Sequence, residues 1–134
     1  NITQLKKMNL SIPFQIKRNI ERLDNKNYLA LLIKNKNIIC SGWISYEKFF
    51  NISEIRKKIK LKKNIMFYDF NTPQKFQNKG YYKMLLSILS SINIKNKNKY
   101  IFVDKENLYS KKAIKSSNFE FFKSLSYFKK IYEI

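Results

Sequence analysis

The residues whose types and spacing best suit chemistry lie in one segment, Thr72-Pro73-Gln74-Lys75-Phe76-Gln77-Asn78-Lys79-Gly80-Tyr81-Tyr82, between a strand-like apolar run and a helix-like one. A loop leading into a helix leaves the first backbone N–H groups without acceptors and aligned with the positive end of the helix dipole. Gly80 puts no Cβ between that backbone and a phosphate, and Lys75 and Lys79 add positive charge, so the segment reads as an anion cradle. Just upstream, Asp69 is the one acid in the run NIMFYDFN, near the strand end, where a carboxylate could serve as a base. Glu47 and Glu54 are weaker candidates for that role, and a solvated or lysine-paired carboxylate is the plainer account of Asp69. The chain has no histidine and one cysteine, Cys40, which leaves no Cys/His metal cluster, no histidine-based triad and no internal disulfide. No metal is expected, and Cys40, in the run IICSGW, reads as a buried structural thiol.

The elements that must position these residues follow from periodicity. Ile16, Ile20 and Leu23 at helical spacing predict a helix over 12–23. YLALLIK and IICSGWISY, joined by Asn35-Lys36-Asn37, predict a β-hairpin, because asparagine tolerates the left-handed conformation of a tight turn. SEIRKKIKL over 53–61, with Ser53 as its cap, reads as a short helix or helical turn. NIMFYDFN is a strand. Tyr81, Leu85, Ile88 and Ile92, with Tyr82, Leu86 and Leu89 beside them, form the stripe of a well-buried helix ending near Ile92. YIFVD is a short strand, NLYSKKAIKSSN a second helix in which Asn118 takes the left-handed position after the last turn, and FEFFKSLSYFKKIYEI one or two closing strands.

Two motifs in this order resemble those of one family. Gln77-x-x-Gly80-x-Tyr82 followed by Leu85-Leu86 is similar to the Q/R-x-x-G-x-G/A motif with which GNAT acyltransferases hold the pyrophosphate of coenzyme A. Asn107-x-x-Ser110-x-x-Ala113-Ile114-x-x-Ser117-Asn118-Phe119 resembles the family's second signature, with Asn118 in place of a glycine. The resemblance spans about Tyr28 to Phe128. It implies an α/β fold, a single GNAT-like domain over 1–134 with a mixed, mostly antiparallel sheet flanked by helices. Residues 1–27 match only as a helical region, and because the chain begins at Asn1 rather than Met a trimmed start is allowed for. The resemblance further implies acetyl-coenzyme A as co-substrate, a primary amine of a small molecule or sugar precursor as acceptor, and direct transfer. By the same resemblance the amides of Asn78, Lys79, Gly80, Tyr81 and Tyr82 hold the pyrophosphate. Asn107 and Ser110 lie near the pantetheine arm, and Thr72 ends the strand beside it. Tyr82 replaces a small residue, and Ile114 stands where many members have a tyrosine general acid, which leaves Tyr109 as the substitute in the same helix. A protein N-terminus or lysine is the alternative acceptor, and a basic binding module without catalysis the alternative from another class.

Composition sets the remaining bounds. The formal charge of +19, from 28 Lys+Arg against 9 Asp+Glu, raises nucleic acid or an anionic membrane as partner. Only Arg18, Arg22 and Arg56 are arginines, and the lysines are spread along the chain, as in the product of an AT-rich gene rather than a dedicated nucleic-acid reader. The aromatic and basic stretch FEFFKSLSYFKK is explained more simply by strand packing than by base stacking. No apolar run approaches the ~18 residues of a membrane span and no apolar signal core opens the chain, so a cytoplasmic location without membrane contact is expected. Oligomeric state is left open, a homodimer included.

Overall fold

The computed structural model describes residues 2–125. Its frame is a sheet of strands β1 (Asn27–Lys34), β2 (Asn37–Ser45), β5 (Ile65–Asn71) and β6 (Lys99–Ile101), in the order β1-β2-β5-β6. Strands β3 (Phe49–Ile52) and β4 (Lys57–Lys60) form a separate antiparallel hairpin. The β1–β2 and β2–β5 pairs are antiparallel and β5–β6 is parallel. A parallel pair requires a crossover, supplied by helix α3 (Tyr81–Ser91). The β1–β2 turn is the expected one, with Asn35 and Lys36 both left-handed at φ 50° and 60°.

Both faces of the sheet are covered. On one, α3 and α4 (Leu108–Ser116) close over Cys40, Ile65, Phe67, Leu85 and Leu89. On the other, Trp43, Leu61, Met66 and Tyr68 pack beneath the β3–β4 hairpin and the 3-10 turn Ile20–Asp24, and Leu5, Ile16 and Ile38 continue that layer under α1 (Ile2–Lys7) and α2 (Phe14–Arg18). This two-sided cover explains why β2 is buried almost without interruption instead of alternating. A bulge at Ile39, where Leu32 pairs with Cys40 but Ile33 with Ile38, turns Ile38 to the face opposite Cys40.

Several elements differ from the sequence reading. The helix expected over 12–23 breaks at Asn19, whose side-chain amide donates to the Gln15 carbonyl at 2.9 Å and supplants the backbone bond that would continue the helix. The segment 53–61 is no helix: one 3-10 turn at Ser53–Ile55 ends at left-handed Arg56, and β4 follows. Ile59 and Leu61 pack at a spacing of two, with Lys58 and Lys60 outward, so alternation outweighed the helical spacing of Ile55 and Ile59. Helix α3 buries Leu85, Leu86 and Leu89, while Ile88, at the edge of that stripe, stays 47% exposed and Ile92, just past the last turn, 46% exposed. Strand β6 covers only the start of YIFVD. Of the closing strands expected from Phe119 onward, 119–125 is irregular and the rest lies outside the described residues. No helix of the described residues is long and apolar enough to cross a membrane.

Candidate functional site

Two interruptions of the sheet create the site. Strand β5 pairs with β6 only from Ile65 to Phe67; beyond that it continues to Asn71 against β2 alone, while the other chain departs through Phe102 and Val103. Among the described residues, one flank of Tyr68–Asn71 is thus left without a strand partner. In the same stretch β5 bulges: Tyr68 pairs with Trp43 and Asn71 with Ser41, so Asp69 and Phe70 together oppose Gly42, and Asp69 takes the left-handed φ of 46°. The bulge places Phe70 on the α3 face and leaves Asp69 beside Tyr68 on the other.

On the α3 face an open cleft of about 510 Å³ runs from this split to the start of α3. It brings together Thr72, Gln77, Asn78, Gly80, Tyr81, Tyr82, Tyr109 and Ser110, all singled out from sequence. Gly80 has φ 77° with open space where a Cβ would stand. The first helical acceptor is its own carbonyl, reached by the Met84 amide at 3.0 Å, so the N–H groups of Tyr81, Tyr82 and Lys83 lack intrahelical partners. The Gln77 side chain donates to the Thr72 carbonyl at 3.0 Å and the Thr72 hydroxyl to Cys40 Sγ at 3.4 Å, which ties the loop to the end of β5. Cys40 is fully buried, and burial pushes its thiol up, consistent with a structural thiol.

Tyr82 turns its ring toward the core, 5.4 Å from Phe70, and stacks on Tyr109 at 6.4 Å. Burial raises the pKa of its hydroxyl, against a hydrogen bond with the Ser110 side chain. The bulky residue therefore fills the wall of the cleft and leaves the helix start open. Three of the selected residues lie elsewhere. Lys79 is exposed outside the cleft lining. Asn107 caps α4, its Oδ1 accepting the Ser110 amide at 3.0 Å, and so orients Ser110 without lining the cleft. Asp69 lies on the opposite face, bound to Arg22 at 2.6 Å. Phe70, Asn71, Phe76 and Val103 also line the cleft. Their signal was absent from the sequence pattern, because a bulge and a strand split leave hydrophobic alternation locally unreadable.

On the far face Arg22 lies over the rings of Trp43 and Tyr68, at 5.4 and 5.1 Å. Tyr68 donates to Asn27 Oδ1 at 2.7 Å, and Asn27 Nδ2 donates to Glu47 at 2.8 Å. Burial above all pushes the Tyr68 phenol up to about 12; the charge of Arg22 opposes this, and those of Asp69 and Glu47 add to it. A folded-state value above the unfolded one near 10 means the neutral phenol stabilises the fold fully below about pH 10, and that contribution is lost as pH rises toward about 12. Urea unfolding across that window is expected to show a loss of up to ~2 kcal/mol that Tyr68→Phe removes, while at neutral pH Tyr68→Phe costs about 1 kcal/mol for the hydrogen bond. An unchanged alkaline slope in the variant would show that the phenol titrates freely.

No protein-family model and no curated protein matches the sequence. Solved structures do match the fold. An aminoglycoside N-acetyltransferase in complex with coenzyme A aligns at a TM-score of 0.57 and 10% identity, over 87% of this chain and 88% of that one. A Bacillus subtilis protein assigned as an acetyltransferase aligns at 0.56 and 21% identity, over 81% of this chain and 69% of that one. At these identities the likeness is one of architecture, and it agrees with the mixed, mostly antiparallel sheet and its crossover helix. The chain has the fold of the GNAT acetyltransferases.

Proposed function

We propose that the chain is an acyl-coenzyme A-dependent N-acyltransferase acting on a primary amine of a small molecule or sugar precursor. The observation that carries this reading is the meeting, in one cleft, of an open helix N-terminus with the unpaired flank of β5. The first suits a pyrophosphate: the amides of Tyr81 and Tyr82 point out of the helix start, and Gly80 leaves room for close approach. The second suits an extended arm carrying amide groups, which adds to a bare strand edge as another strand would. Coenzyme A joins those two features in one molecule, and the coenzyme A complex of a protein of the same fold supports the choice.

Transfer from such a thioester needs no covalent intermediate. The amine nitrogen, having lost its proton, attacks the carbonyl carbon; the carbon–sulfur bond breaks, and the thiolate that leaves takes up a proton. We assign the donor role to Tyr109, whose ring lines the cleft and is 59% exposed. Asp69, on the opposite face of the sheet, is held in an ion pair with Arg22 at 2.6 Å. Calorimetric titration with acetyl-coenzyme A is expected to show micromolar binding, and a thiol-release assay to show amine-dependent turnover. Absence of any heat at millimolar acetyl-coenzyme A overturns the reading and leaves a basic binding module on the same fold.

A further inference from the structure

We infer that the outer face of the β3–β4 hairpin is a docking surface for an anionic bilayer. The inference stands apart from the acyl-transfer reading and needs no cofactor.

Lysine is common throughout the chain, but not evenly. Lys and Arg make up 28 of the 134 residues, whereas Arg56, Lys57, Lys58, Lys60, Lys62 and Lys63 make up six of the eight over 56–63. The one acid of residues 48–63 is Glu54, which accepts from the Ser53 hydroxyl at 3.2 Å. No ion pair among the described residues involves Arg56, Lys58, Lys60, Lys62 or Lys63. The charge of this segment is therefore offered outward.

The fold sets much of it on one plane. Phe50 and Ile59 pack against the core beside Leu61, and Ile52 is buried, which fixes the inner face of the hairpin. In the register of the pair Phe49 lies opposite Lys60 and Asn51 opposite Lys58, and these four are the exposed residues of the two strands. Same-face neighbours along a strand stand roughly 6.7 Å apart. Lys48, just before β3, and Lys62 and Lys63, just past β4, are exposed as well. A second observation, independent of charge, is the aromatic among them: Phe49 is 40% exposed. Lys58 Nζ lies 4.9 Å and Lys48 Nζ 5.7 Å from its ring centroid, so the ring steadies two of the ammonium groups. Phe49, Phe50 and Asn51 also line a second cavity of about 210 Å³, together with Glu54, Arg22 and Asp69, but none of the hairpin's lysines does.

These features select among polyanions. Stacking of a nucleic-acid base needs a ring face, and over the Phe49 ring stand two ammonium groups. Bidentate recognition of phosphates and base edges draws on arginine, and five of the six cations over 56–63 are lysines. A bilayer requires neither. It presents many phosphates in one plane, which suits a flat array of point charges on flexible stems, each worth about fivefold in binding. An apolar ring among those charges enters the headgroup layer while the ammonium groups stay at its surface. Such contact needs no spanning helix, and no helix of the described residues is long and apolar enough to be one.

The full chain is expected to sediment with vesicles of phosphatidylcholine containing about one third phosphatidylglycerol, and not with phosphatidylcholine alone. Lys58→Gln combined with Lys60→Gln should weaken that binding on the order of 30-fold. Lys111→Gln combined with Lys112→Gln, an exposed pair on α4 at the other face of the sheet, leaves the same net charge and should cost no more than about threefold. Phe49→Ser should cost about tenfold. All these positions are exposed, so urea midpoints are expected to stay near that of the wild type. In Phe49→Trp the new indole should be quenched by brominated lipid, while Trp43, 3% exposed, is not. Equal losses in the two double variants would trace vesicle binding to the charge of +19 as a whole and overturn the inference. It is overturned equally if anionic vesicles fail to bind, if the indole is not quenched, or if the hairpin lysines are needed for a single-stranded oligonucleotide and not for vesicles.

Discussion

Gly80→Glu is expected to weaken acetyl-coenzyme A binding on the order of 100-fold, because two like charges some 6 Å apart in a partly screened site repel by about 3 kcal/mol. The position permits a clean test. Nothing lies within 4 Å of the place where a Cβ would stand, so a side chain meets no protein atom. The cost to the fold comes from φ alone: at 77° a non-glycine residue is strained by about 1 kcal/mol, which lowers stability without removing the helix. Gly80→Gln carries the same strain and nearly the same shape but no charge. The difference between the two variants therefore isolates the electrostatic part, and it should shrink as salt is raised. Glutamate and glutamine variants that both bind as the wild type does would place the pyrophosphate away from α3. A loss of equal size in both would point to shape, with the cradle closed by any side chain at all.

Much of the cleft was legible in the sequence, for a physical reason. A helix start, a glycine with left-handed φ and a loop that leads into an apolar stripe are local features, and their signals fall within a few residues of one another, from Thr72 to Leu86. The hairpin turn at Asn35-Lys36 and the left-handed Asn118, at φ 65°, were legible for the same reason. The far side was not, because it is assembled from distant segments. Arg22 meets Asp69 across 47 positions and Tyr68 meets Asn27 across 41, and no periodicity reports such pairs. The β3–β4 hairpin was hidden differently. Ile55 and Ile59 fit a helical stripe, and only the burial of Ile59 and Leu61 beside outward Lys58 and Lys60 decides for a strand. That hairpin, once formed, brings Phe50 and Glu54 to the far face of the sheet, so the misread element is also one that lines the second cavity.

Gly42 is the residue through which the bulge, the cleft and the core are joined, and substituting it tests all three. A Cβ there would stand 2.4 Å from Phe70 Cε1 and 2.6 Å from its Cδ1, well inside contact distance. Phe70 sits opposite Gly42 because the bulge inserts an extra residue into β5, and its ring in turn supports Tyr82 in the cleft wall. Gly42→Ala must therefore displace either the ring or the β2 backbone. Overpacking of this kind costs about 1–3 kcal/mol, read as a lowered urea midpoint. If the ring is what yields, its motion is into the cleft, and acetyl-coenzyme A affinity should fall by about tenfold in a protein that still unfolds cooperatively. The combination Gly42→Ala with Phe70→Leu removes the clash, so the double variant should be more stable than the sum of the two single changes implies, with a coupling of about 1 kcal/mol or more. Additive effects would mean that the methyl group is accommodated by the backbone and that Phe70 is not held by Gly42. Coupling in stability together with recovery of cofactor affinity would show that a glycine far from the loop motif in sequence sets the width of the cleft, through one aromatic ring.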